Sequence, residues 1–112
     1  MSRRDELADR IRSLVALDPR VTEKRMFGGV AFLLDGRILV SARRTGGLLV
    51  QCGEAAANEA VNEPGVSQMV MRGKTARNFI DVDNDSLETD EGLGRWIALA
   101  ERYLAALPPQ NA

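Results

Sequence analysis

Across 112 residues the chain carries fifteen Lys+Arg and sixteen Asp+Glu, a formal net charge of −1, with 45% hydrophobic residues. That is the size and make-up of one small folded domain, and the charge balance excludes the domain-wide basic footprint of a nucleic-acid binder. Histidine is absent and Cys52 is the only cysteine, which removes Ser-His-Asp and Cys-His chemistry, His/Cys zinc sites and any internal disulfide.

The start, Met1-Ser2-Arg3-Arg4-Asp5-Glu6, has no apolar run, so no secretory leader is expected. No stretch approaches the roughly 20 apolar residues of a membrane span. A cytoplasmic setting without a membrane partner is the expectation. The charge is unevenly spread. Residues 1–50 hold ten Lys+Arg against six Asp+Glu, and residues 51–112 hold five against ten. The two halves are expected to neutralise each other in the fold, with local basic patches still open to them.

In chain order, Asp5 to Leu17 reads as a helix with Leu7, Ile11, Leu14 and Val15 on one stripe, acids in its first turn and Asp18-Pro19 as its stop. Glu23 to Phe27 leads into a strand, Val30–Leu34. Asp35-Gly36 is a two-residue hairpin signal, because a type I′ turn needs positive φ at both central positions. Arg37–Ala42 returns as a strand, and Leu48–Cys52 follows after Arg44-Thr45-Gly46-Gly47. A straight hairpin register puts Ala31, Leu33, Ile38, Val40 and Ala42 on one apolar face, expected beneath the helices. The other face then carries Val30, Phe32, Leu34, Arg37, Leu39 and Ser41, too apolar to meet water, so a partner or a covering helix is expected there.

Glu54 to Asn62 reads as a short alanine-rich helix ended by Glu63-Pro64-Gly65. Ser67–Arg72 is a strand with Met69 and Met71 on one face, Arg72-Gly73-Lys74 a turn, and Asn78–Asp83 a strand with Ile80 and Val82 inward. A final helix starts at Ser86 or Asp90 and runs to Ala106, with Leu93, Trp96, Ile97, Ala100, Leu104 and Leu107 as its stripe. The order α-β-β-β-α-β-β-α predicts an α+β fold in two layers, a five-stranded, mostly antiparallel sheet with helices on one face. Residues 1–107 make a single domain and 108–112 a loose C-terminal tail.

The run Arg25-Met26-Phe27-Gly28-Gly29-Val30-Ala31-Phe32, with Asp35-Gly36-Arg37 after it, resembles the N-terminal domain of TfoX/Sxy, the bacterial competence regulators. Pro64-Gly65, Met69-Val70-Met71-Arg72-Gly73 and Leu93-Gly94-Arg95-Trp96-Ile97 through Leu107-Pro108 extend the resemblance over nearly the whole chain. Arg25, Met26, Phe27, Gly28, Gly29 and Gly36 are the motif positions. The resemblance implies a secretion-chaperone-like α+β fold and a role in transcriptional regulation through protein contacts. It offers no catalytic residues, and no cofactor is expected. TfoX proper has a second, C-terminal domain and this chain ends at Ala112, so a stand-alone N-terminal domain is the expectation.

The remaining chemistry is weak. Gly28-Gly29 lacks the lysine and helix of a phosphate loop, and reads as a strand kink, a bulge or a close backbone approach. Asp81, Asp83 and Asp85 imitate the start of a calcium loop, but Ser86 and Gly92 stand where its glycine and bidentate glutamate belong; they read as a strand's outer face followed by acids at a helix start. Cys52 reads as a small core residue. Lys24, Arg25, Arg43, Arg44, Arg72, Lys74 and Arg77 sit at strand ends and turns, where they could hold an anion or a DNA backbone. Phe32, Leu34, Leu39, Trp96 and Tyr103 are the candidate interface residues. The function expected is that of a non-enzymatic module acting by protein–protein contact, a homodimer and an accessory in transcriptional regulation. The alternative is an anion or nucleic-acid binding module that uses the basic turns.

Overall fold

In the computed structural model the described residues are 2–108; residues 109–112 of the expected tail lie outside them. The elements are α1 (Arg3–Val15), β1 (Val21–Met26), β2 (Gly29–Leu34), β3 (Arg37–Ala42), β4 (Leu48–Gln51), α2 (Glu54–Ala60), β5 (Val66–Met71), β6 (Lys74–Val82), a 3-10 turn (Asn84–Leu87) and α3 (Asp90–Ala105). The six strands form one antiparallel sheet in the order β1-β2-β3-β4-β6-β5. The fold is α+β with one open sheet, as expected, but with six strands rather than five. The added strand is β1, Val-Thr-Glu-Lys-Arg-Met. It lies at the sheet edge, where four polar residues in a row can meet water.

Three of the turns have the same chemistry. Phe27-Gly28, Asp35-Gly36 and Arg72-Gly73 each join two strands with both residues at positive φ, the type I′ geometry that matches strand twist.

The rows of residues that cross the sheet define its two faces. Arg25, Val30, Ala42, Leu48, Val82 and Val66 form one row, and Glu23, Phe32, Val40, Val50, Ile80 and Gln68 form the next. The apolar members of both rows pack into one core with Leu7, Ala8 and Ile11 of α1, Ala57 and Ala60 of α2, and Leu93, Trp96, Ile97, Ala100 and Leu104 of α3. All three helices therefore cover this face. The row between them, Lys24, Ala31, Ser41, Leu49, Asp81 and Ser67, points the other way.

A bulge corrects the straight register. Leu34 pairs with Arg37 and Leu33 with Ile38, but Phe32 pairs with Val40 rather than Leu39. Leu39 is the extra residue, and both it and Val40 are fully buried. Such a bulge puts two residues against one and reverses the side-chain alternation beyond it. The face expected to be wholly apolar thus divides: Val40 and Ala42 enter the core, while Ala31, Leu33 and Ile38 stay on the uncovered side. Phe32, Leu34 and Leu39 lie under the helices, so of the two covers expected for that face it is the helix that is present.

The helix ends follow local rules. Ser2 accepts a hydrogen bond from the Asp5 amide, and Thr89 from Gly92 at the start of α3, each satisfying an end amide of its helix; the Asp83 side chain accepts from the Ser86 amide, which also donates to the Asp83 carbonyl. The stripe of α1 is Leu7, Ala8 and Ile11, with Val15 half-buried; Leu14, expected on the stripe, is exposed. Charges of the two halves meet in the ion pairs Arg43–Asp81 and Arg10–Asp90.

Candidate functional site

The uncovered side of the sheet holds a cleft of about 220 Å³, lined by Met26, Phe27, Gly29, Ala31, Ile38, Ser41, Arg43, Arg44, Thr45, Leu49, Met69 and Met71. Its floor is the middle of the sheet: Ala31, Ser41 and Leu49 are buried there yet lie outside the helix-covered core. A second irregularity lies in the β5–β6 pair, where Met69 alone on β5, between Gln68 and Val70, stands against residues 76–79 of β6. Its β6 side is filled by Gln68, whose amide donates to the carbonyls of Ala76 and Phe79 at 3.0 Å each. This plug fixes the hairpin that brings Met69 and Met71 to the cleft.

Phe27 stands at the mouth. It is the first residue of its I′ turn, at φ 52, and it is 84% exposed. A bulky residue in the left-handed region is an outlier, since that turn position favours Asn, Asp or Gly. Asp35 occupies the equivalent position in the next hairpin without this conflict. Phe27 is therefore disfavoured twice, by backbone strain and by its hydration.

The two motif glycines have separate roles. Gly28, at φ 78, completes the turn, and a Cβ there would meet the Arg44 side chain at 3.0 Å, so Arg44 lies along the turn. A Cβ on Gly29 would come within 2.6 Å of the Ala42 carbonyl oxygen, a close approach of neighbouring backbone. Arg4 holds the same turn from α1, donating to the Gly28 carbonyl at 2.9 Å.

The basic residues do not converge on one spot. Arg43 pairs with Asp81 at the cleft floor. Arg44 is exposed on the cleft rim, with no ion pair among the described residues. Lys74 faces Met71 across β5 and β6, beside the Arg72-Gly73 turn, and Arg77 is exposed further along β6. Lys24 and Arg25 border a different cavity between α1 and β1, with Asp5, Asp9, Arg12 and Glu23. That cavity is internally matched: Arg12 bonds both Asp9 and Glu23, and its bond to Glu23 above all raises its already high pKa.

The other candidates are structural. Trp96 is buried in the core, with the Arg95 guanidinium stacked 4.3 Å from its ring centroid. Tyr103 is half-buried against Gly53, where an added Cβ would strike its ring at 2.6 Å. With Phe32, Leu34 and Leu39 also in the core, the expected interface residues are packing residues, and the surface they were meant to supply lies on the opposite face. Cys52 is buried, and burial pushes its thiol up to about 11, so it is a poor nucleophile. Asp81 pairs with Arg43 and Asp83 caps the 3-10 turn. Among the described residues no helix is long and apolar enough to cross a membrane.

The profile of the TfoX N-terminal domain matches residues 13–103, from within α1 to within α3. The chain belongs to the TfoX N-terminal domain family. Neither a curated protein nor a solved structure matches it. In this TfoX N-terminal domain the Arg25–Gly29 motif is the tip of the β1–β2 hairpin, and it supplies Met26, Phe27 and Gly29 to the cleft lining. Composition alone did not mark Phe27 as exposed. The signal was its place before Gly28, the same residue-then-glycine pattern as Asp35-Gly36.

Proposed function

We propose that this domain is a non-enzymatic protein-contact module that binds through the open sheet face, with Phe27 as the anchor, and serves as an accessory in transcriptional regulation in the cytoplasm. The observation that carries the contact reading is Phe27, held exposed at a strained turn position beside an apolar, methionine-lined cleft. Exposed aromatics that fill a partner's pocket are typical interface hot spots, and backbone strain concentrates at such sites. Methionine side chains adapt to varied apolar partners. The regulatory setting rests on the resemblance to the competence regulators. The absence of histidine from the sequence and the burial of Cys52 support the non-enzymatic reading.

A homodimer was expected from the apolar face of Phe32, Leu34 and Leu39. That face is filled by helices, so this motive for self-association is gone.

The test compares the proteins captured by the wild type and by Phe27→Asn, with nuclease present, by quantitative mass spectrometry. A partner held by the wild type and lost from the variant supports the reading. Identical captured sets contradict it. Binding that disappears with nuclease would favour the nucleic-acid alternative through the basic turns.

A further inference from the structure

The chemistry of the open face also restricts its occupant. The cleft lining carries Arg43 and Arg44 and no carboxylate. Lys24, on the edge strand where it also borders the α1–β1 cavity, shares the face through its row with Ala31 and Ser41, and Lys74 through its pairing with Met71. Against these stands Asp81, already occupied by Arg43. On the helix-covered side α1 is mixed, with Arg3 and Arg12 exposed against Glu6 and Asp9, but the part over α2 and α3 has the opposite sign: Glu54, Glu59, Glu88, Glu91 and Asp90, the last paired with Arg10, are exposed there against the bases Arg95 and Arg102. The molecule is thus polar in charge, basic on the open face and acidic over α2 and α3.

We propose that the open sheet face receives an acidic amphipathic helix of another protein, whose apolar stripe sits on Phe27, Met69 and Met71 while its carboxylates meet Arg44, Lys24 and Lys74. This inference rests on the contact reading above and names its partner's chemistry. Charge complementarity selects that partner. It also weighs against a second copy bound open face to open face, which would set Arg44, Lys24 and Lys74 against their own counterparts. A helix fits a sheet face, because side-chain rows on a sheet accept a helical stripe, as the other face of this sheet does for α1 and α3. Helix-in-groove binding through methionine-lined surfaces is an established recognition mode.

The probes are two synthetic peptides of about 16 residues, long enough to populate a helix on binding. Both carry one leucine/phenylalanine stripe at i, i+3, i+4 and i+7; the remaining positions are rich in glutamate in one and lysine in the other. Each is titrated into the full chain and followed by amide and methionine-methyl NMR. The expected result is saturable shifts at Gly28, Gly29, Ala31, Ser41, Met69 and Met71 with the acidic peptide, and affinity at least ~10-fold weaker for the basic one. Arg44→Glu should narrow or reverse that ratio, and added salt should weaken the acidic complex. Shifts on α2 and α3 instead, or equal affinity for both peptides, would overturn the proposal. Equal affinity that still requires Phe27 would overturn only the charge selection and leave the contact reading standing. If neither peptide binds, the acidic-helix partner is rejected, and the Phe27→Asn capture experiment then decides the contact reading alone.

Discussion

At the scale of single residues, the hairpin motif divides into residues that the fold needs and one that it does not. Gly29 is needed. A methyl group there would press on the Ala42 carbonyl at 2.6 Å, and strand-paired backbone yields little. Gly29→Ala should destabilise the domain by about 1–3 kcal/mol, read as a lower denaturant midpoint; an unchanged midpoint would show that β2 and β3 can move apart. Phe27 is the residue the isolated fold would be better without. Cys52 makes a separate case. Its thiol is pushed up to about 11 by burial, from an ordinary 9.0. The unfolded chain therefore releases the proton first as pH rises. The contribution of the buried thiol to stability is complete below pH 9.0, falls between 9.0 and about 11, and is gone above it. At pH 8 the thiol should react with a disulfide reagent only as fast as the domain opens, so the rate should follow global stability across variants. Rapid labelling of the native protein would contradict its burial.

At the scale of elements, legibility followed the apolar pattern. The helices, the Asp35-Gly36 hairpin, the inward Ile80 and Val82, and the shared face of Met69 and Met71 were readable because each rests on a period or a turn residue. The strand β1 was not, because Thr22, Glu23, Lys24 and Arg25 give no apolar alternation, and an edge strand does not require one. Its signal was turn chemistry: Phe27-Gly28 stands two residues wide between Met26 and Gly29, as Asp35-Gly36 does between Leu34 and Arg37. The bulge at Leu39 left no mark, since Ile38, Leu39 and Val40 are all apolar and suit either face. That one residue decided which face the helices cover, and with it whether Phe32 and Leu39 were surface or core. The β5–β6 hairpin depends in turn on the Gln68 plug. Gln68→Ala should leave the Ala76 and Phe79 carbonyls without that donor and cost roughly 1 kcal/mol. Amide exchange should quicken over Lys74–Phe79 with little change in α3; uniform quickening across the chain would show that the plug is not local.

At the scale of the whole molecule, the fold turns a nearly neutral sequence into a two-signed object. The sequence showed a basic first half and an acidic second half. The sheet places the acids of α2 and α3 on one side, while Arg43, Arg44, Lys24 and Lys74 border the other. Ion pairs such as Arg43–Asp81 and Arg10–Asp90 neutralise part of this asymmetry, as the sequence led one to expect, and the remainder is free to steer a charged partner. Strand pairing spreads the basic residues over three places, so a single anion pocket does not form from them.

The central claim is that Phe27 is retained for contact rather than for folding, and the most direct measurement is stability and binding on the same variant. Phe27→Asn should raise the stability of the isolated domain by about 1 kcal/mol, because asparagine tolerates the left-handed turn position that phenylalanine resists. That is a rise of roughly 4 °C in Tm for a domain of this size. The same variant should lose the partner that the wild type holds. A lower Tm would show that Phe27 packs on its own fold, and undiminished binding would show that the open face is not where the partner sits.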